Sequence, residues 1–138
     1  MSGVKLPKTI EAGGLRIGPD ADLCVFAGLC IVDDRDTTLR HAEALARAAE
    51  DLPVTLVFKA SFDKANRSSI ASYRGPGFEE GLAILAEVKK ESGLPLVTDV
   101  HETTQVAAVA EVADVIQIPA FLCRQTDLLV AAARTDRI

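Results

Sequence analysis

The run Thr55-Leu56-Val57-Phe58-Lys59-Ala60-Ser61-Phe62-Asp63-Lys64-Ala65-Asn66-Arg67-Ser68-Ser69 joins an apolar strand directly to a loop of cations, an amide and hydroxyls. A strand that is apolar throughout belongs in a parallel sheet with both faces covered, because an antiparallel strand with one wet face alternates in polarity. Outward from this stretch the same signal recurs in Leu23 to Ala27, Leu94 to Thr98 and Val115 to Ile118. Each is followed by a helical pattern: Thr38 to Ala49, Phe78 to Glu91 with Gly93 as its C-terminal stop, Glu102 to Val112, and Thr126 to Ala133.

Four alternating units predict an α/β fold, a partial (β/α)8 TIM barrel of about four βα units. The alternative is a small doubly wound sheet, but the first βα turn lacks the G-x-G-x-x-G spacing of a dinucleotide-binding domain. Residues 1–20 read as an N-terminal hairpin and 21–138 as the βα units. Within the first, Val4 to Ile17, with Gly13-Gly14 between apolar stretches, is expected to plug the bottom of the barrel.

Composition narrows the function. The 138 residues are 49% hydrophobic, enough for one domain with a core. A net charge of -5 argues against a general nucleic-acid binder, and the absence of Trp removes one stacking platform for single strands. No segment approaches the ~20 consecutive apolar residues of a membrane span. Three widely spaced cysteines and no secretory leader fit a reducing cytoplasm.

In a parallel barrel the strand ends share one rim, so Cys30, the Lys59 to Ser69 loop, Asp99-Val100-His101-Glu102 and Pro119 to Gln125 converge there. Lys59 and Lys64 offer point charges, Arg67 a planar fork, and Asn66 and the serines neutral donors, a combination suited to phosphate. A bare ammonium closing a buried strand needs a counter-charge, from a ligand or from Asp63. Asn66 to Ser69 could equally be a polar turn. Asp99 and His101 share a side of the strand end, where a carboxylate binds hydroxyls and an imidazole moves protons, or where both simply cap the next helix. Gln117, Phe121, Arg124 and Gln125 surround the fourth strand end, a strand-to-helix loop with Phe121 packing inward, where Arg124 and Gln125 could equally cap the following helix or reach an adjacent subunit. Cys24, Cys30 and Cys123 read as small core residues, since no short-spaced His/Cys cluster exists.

Phe58 to Ser69, Ser72-Tyr73-Arg74-Gly75-Pro76-Gly77, Thr98 to Glu102 and Ile116-Gln117-Ile118-Pro119-Ala120-Phe121-Leu122 closely resemble the 3-deoxy-D-manno-octulosonate 8-phosphate synthases, also called 2-dehydro-3-deoxyphosphooctonate aldolases. The likeness runs from about Leu23 to the C-terminus. The related heptulosonate 7-phosphate synthases carry Lys-Pro-Arg where this chain has Lys64-Ala65-Asn66-Arg67. The resemblance implies a homo-oligomeric, tetrameric (β/α)8 enzyme that condenses phosphoenolpyruvate with arabinose 5-phosphate toward the Kdo sugar of lipopolysaccharide.

It further implies that Lys59 and Lys64 bind phosphoenolpyruvate in the stretch that includes Ser61 and Asp63. Asn66, Arg67 and Ser68 would hold the arabinose phosphate, and Asp99 its hydroxyls. Gln117 would line the phosphoenolpyruvate pocket, with Phe121 and Arg124 serving a neighbouring subunit. Cys30 stands where metal-dependent members place a cysteine, which implies a divalent ion of the Zn, Fe, Mn or Co type, its remaining ligands outside this chain. Because the sequence stops at Ile138, before a second half barrel, the polypeptide alone is expected to be inactive. A noncatalytic half-barrel that binds phosphorylated sugars is the competing reading.

Overall fold

Gly13 and Gly14 take φ of 58° and 82°, the left-handed pair required by a tight two-residue turn. They join β1 (Ile10–Ala12) to β2 (Leu15–Ile17) in an antiparallel hairpin with Ile10 opposite Ile17. The computed structural model describes residues 8–138, so the expected hairpin residues Val4 to Pro7 lie outside the described residues.

After the hairpin come β3 (Leu23–Gly28), α1 (Arg35–Ala49), β4 (Val54–Lys59), α2 (Phe78–Ser92), β5 (Leu96–Asp99), α3 (Val106–Val112), β6 (Val115–Gln117) and α4 (Thr126–Ala133). The second sheet is fully parallel and ordered β3-β4-β5-β6. All four helices pack into one core cluster, through Ala42, Leu85, Val109 and Leu128 against Phe58 and Leu96. Burying each large apolar side chain in that layer contributes about 1.5–3 kcal/mol.

The opposite face holds Val57, Val97 and Val115, and Leu15 of β2 packs onto them. Sequential parallel order with helices on one face is barrel geometry; a doubly wound sheet reverses its order and carries helices on both faces. The far edge of β6 is met by Ile138, which donates to the Asp114 carbonyl at 3.3 Å and accepts from Ile116 N at 2.8 Å.

Element ends differ from the sequence expectation for local reasons. Helix α1 starts at Arg35 rather than Thr38, because the Asp34 carboxylate accepts from Thr37 N at 2.7 Å and so caps an earlier turn. Strand β5 starts at Leu96 rather than Leu94, since Pro95 has no N–H to give. Strand β6 stops at Gln117 rather than Ile118, close to Pro119, which has no N–H to continue the ladder. The helix expected from Glu102 opens instead with a 3-10 turn at Thr103–Gln105, closed by a Glu102/Gln105 capping box. Strand β3 is not buried throughout: Leu23 is 69% and Phe26 48% exposed, as befits an edge strand of the described sheet.

Candidate active site

Side chains alternate across a strand, so the residue two past an inward apolar residue also faces inward. Val57, Val97 and Val115 form the apolar inner layer. Two residues further along each strand stand Lys59, Asp99 and Gln117. Registers Lys59↔Val97 and Asp99↔Gln117 are consistent with one shared face, Asp99 level with Gln117 and Lys59 one step lower beside Val97, so three of the predicted residues form a staggered polar cluster there. Its place is the C-terminal edge of the strands.

The loops are held to that edge by backbone bonds. Leu29 N donates to Lys59 O at 2.9 Å, and Val32 N to Ser61 O at 2.8 Å. Only glycine permits this approach at position 28, where a Cβ would lie 2.1 Å from Lys59 O. Phe62 is fully buried, edge-on to Phe78 and to His101 at centroid distances of 5.3 and 5.6 Å. It anchors the loop from beneath while Asp63 and Lys64 turn toward a cavity.

Electrostatics centres on Asp99, which is 3% exposed. Its Oδ2 lies 3.4 Å from His101 Nε2 and 3.8 Å from Lys64 Nζ, and that ammonium donates to Ser61 Oγ at 2.6 Å. Burial pushes the Asp99 pKa up, but hydrogen bonds from His101 and Ser61 and the Lys64 charge outweigh it, leaving it below the ordinary carboxylate value. Lys59 moves down, first through burial and then through the like charge of Lys64, with Asp99 and Cys30 opposing. Two ammoniums thus share one nearby carboxylate, an arrangement that favours a further anion. Asp99 Oδ1 and His101 Nδ1 are buried without a hydrogen-bond partner among the described residues.

A cavity of about 630 Å³ opens beside this cluster. Of the residues singled out from sequence, Asp63, Lys64, Asn66, Asp99, His101, Gln117 and Phe121 line it. Lys59 and Ser61 reach the site through Lys64 and Asp99 instead. Arg67, Ser68, Arg124 and Cys30 are exposed and do not line it. Phe121 does not pack inward: it is 86% exposed at the cavity rim. Cys123 is exposed as well, against its reading as a core residue, because it follows a short 3-10 turn at the surface.

Sequence reasoning gave no role to Arg74, Glu102 or Gln105, all of which line the cavity. Arg74 grips Asp63 through two contacts of 2.8 and 2.5 Å, so Asp63 already has a counter-charge. Glu102 stood on the predicted rim beside His101, and the E-x-x-Q spacing of a capping box is what ties Gln105 to it.

Residues 5–138 match the model of the DAHP synthetase I family. The chain belongs to that family. It is 55% identical to the 2-dehydro-3-deoxyphosphooctonate aldolase of Shewanella oneidensis over 131 residues, 95% of this chain and 46% of that protein. Proteins of the same name from a Synechococcus strain and from Trichlorobacter lovleyi are 58% and 49% identical, over 88% and 96% of this chain and 43% and 49% of theirs. The chain therefore spans about half the length of the curated relatives it matches.

DAHP synthetase I proteins are (β/α)8 barrels, and the four parallel units fit as part of one. The resemblance implies a metal at Cys30. No three His, Cys, Asp or Glu side chains group as a metal site among the described residues. His41 is occupied elsewhere, with Nδ1 2.8 Å from Thr37 O. A catalytic ion takes three or four protein ligands, so Cys30 alone does not constitute a metal centre here. Among the described residues no helix is long and apolar enough to cross a membrane.

Proposed function

We propose that this chain carries the anion-binding part of a 3-deoxy-D-manno-octulosonate 8-phosphate synthase, which condenses phosphoenolpyruvate with D-arabinose 5-phosphate and releases phosphate. The observation that carries the reading is the Lys59/Lys64 pair set around Asp99 on the same strand-end layer as Gln117. The names of the relatives point the same way.

The reaction joins the nucleophilic enol carbon of one anion to the aldehyde carbon of another, and the two repel. Fixed cations offset that repulsion and hold the carbons in line, so positioning and electrostatics account for most of the catalysis. Lys59 and Lys64 take the phosphoenolpyruvate anion. Asn66, Arg67 and Ser68, exposed on the adjoining loop, take the sugar phosphate, and Asp99, which lines the cavity, binds the sugar hydroxyls. His101, against Asp99, is placed to hold or move a proton. Cys30 would supply one sulfur ligand to a divalent ion whose other ligands lie outside this chain. The enzyme works in the cytoplasm as a homo-oligomer, where Phe121 and Arg124 extend toward a neighbour, and its product enters lipopolysaccharide synthesis.

The description of the matching family favours a second reading, heptulosonate 7-phosphate synthesis from erythrose 4-phosphate. Phosphate release decides between them when this chain is supplied with the C-terminal half of the Shewanella oneidensis relative. Turnover with arabinose 5-phosphate and loss of it in Lys64→Met are expected. A preference for erythrose 4-phosphate would replace the first reading with the second, and binding without turnover on either sugar would favour a noncatalytic phosphosugar module.

A further inference from the structure

We propose that Gln105 is a substrate-binding residue whose side-chain amide donates to a hydroxyl oxygen of the sugar phosphate. The inference rests on the sugar-phosphate reading given above and adds a group to which that reading gives no part. Gln105 lines the cavity of about 630 Å³ together with Asp99 and Lys64. Its Oε1 accepts from His101 N at 2.8 Å and from Glu102 N at 3.2 Å. Both partners are donors, so the carbonyl end must face them and the amide nitrogen must face away.

The two backbone bonds occupy both lone pairs of that carbonyl and fix the side chain to the 3-10 turn Thr103–Gln105 that carries it. The nitrogen is unspent. Nε2 makes no hydrogen bond among the described residues, and unlike Asp99 Oδ1 and His101 Nδ1 it is not sealed from solvent. An anchored amide therefore holds two N–H donors at the cavity wall. Phosphate is already served by cations, beside which a neutral donor adds little. A hydroxyl is the better match, because Asp99 can only accept from it and its oxygen lone pairs still need a donor. His101 keeps acceptor and donor in one neighbourhood, since its N–H holds Gln105 and its Nε2 lies 3.4 Å from Asp99 Oδ2.

The test deletes the contact from both sides, by titration calorimetry of arabinose 5-phosphate and its 2-deoxy, 3-deoxy and 4-deoxy counterparts into the native chain and Gln105→Glu. The glutamate keeps an oxygen for both backbone donors and loses only the N–H groups; its added charge acts on every ligand alike and cancels in the ratio to the parent sugar. The penalty for removing one of the three hydroxyls is expected to shrink about 3- to 10-fold from the native chain to Gln105→Glu, the value of one neutral hydrogen bond. Equal penalties in the two chains for all three sugars would overturn the proposal, since a residue that only caps the turn does not distinguish them.

A second readout needs no ligand. The ¹⁵N-labelled side-chain amide of Gln105 is expected to be as rigid as the backbone, with its protons relaxed by a soluble paramagnetic agent. Protons shielded from the agent would overturn the proposal independently, because no donor would then face the cavity. Absence of arabinose 5-phosphate binding by the native chain would instead sink the sugar-phosphate reading, with the amide signal still deciding whether Gln105 presents a donor.

Discussion

The Arg74 guanidinium closes on the Asp63 carboxylate with Nε–Oδ1 at 2.8 Å and Nη2–Oδ2 at 2.5 Å, while the Arg74 carbonyl accepts from Lys64 N at 2.8 Å. Side chain and backbone of one residue therefore clamp the loop that presents Lys64. The pair is partly exposed, at 55% and 24%, and an ion pair in that setting contributes at most about 1 kcal/mol to global stability.

Arg74→Ala is accordingly expected to shift the urea midpoint by no more than about 1 kcal/mol of stability yet to weaken anion binding about 5-fold, because the loop loses its orientation. Arg74→Lys is expected to behave like Arg74→Ala, since a point charge cannot reproduce the two-pronged contact. Calorimetric affinity and urea unfolding, measured on the same samples, separate the two effects. Affinity unchanged in both variants would remove the clamp from the account.

Gly28→Ala is expected to destabilise the chain by about 2–4 kcal/mol. The added methyl would start 2.1 Å from Lys59 O, a backbone atom that cannot rotate away, at a φ of 156°. The junction it pries open is the one that carries Leu29 N to Lys59 O. Urea unfolding measures the loss, and a shift below about 0.5 kcal/mol would mean the junction yields freely.

Asp99 gives a signed pH dependence. Its pKa is lowered in the folded chain relative to about 3.9 in an unfolded one, so the stability it contributes is complete above the unfolded value and is lost as pH falls through the folded one. The gap in urea midpoint between native chain and Asp99→Asn is expected to be widest near neutrality and to close in the acid range below about pH 4. A gap that widens with acidification would contradict the lowered value.

Lys59 works in the opposite range. Its pKa lies below that of an ordinary lysine, so its charge, and with it anion affinity, is expected to fade as pH rises through that depressed value. Lys59→Arg, which keeps its charge at every accessible pH, is expected to flatten this alkaline limb. Affinity measured from pH 7 to about 10.5 checks it, and identical profiles for the two chains would exclude Lys59 as the titrating group.

What could be read from the residues follows periodicity. The ends of the apolar runs marked Lys59, Asp99 and Gln117, and the unbroken runs themselves gave the parallel sheet with its four units. Arg74 escaped because it meets Asp63 eleven positions away across an irregular loop, where no period links the partners. The polar loop after β4 looked uniform in composition, yet the fold divides it: Ser61 faces the interior, Asp63 is taken by Arg74, and Arg67 and Ser68 stay at the surface. Strand β3 has the apolar composition of a covered strand, but coverage depends on neighbours, and Leu23 and Phe26 stay 69% and 48% exposed.

Lys59 and Lys64 at the strand ends are proposed to bind a small phosphorylated anion. Titration calorimetry of phosphoenolpyruvate into the native chain, Lys59→Met and Lys64→Met, in a chloride buffer of physiological strength, tests it most directly. One saturable site per chain is predicted, weakened about 10-fold or more by either substitution, as expected for loss of a charged hydrogen bond. Affinity indistinguishable among the three chains would contradict it.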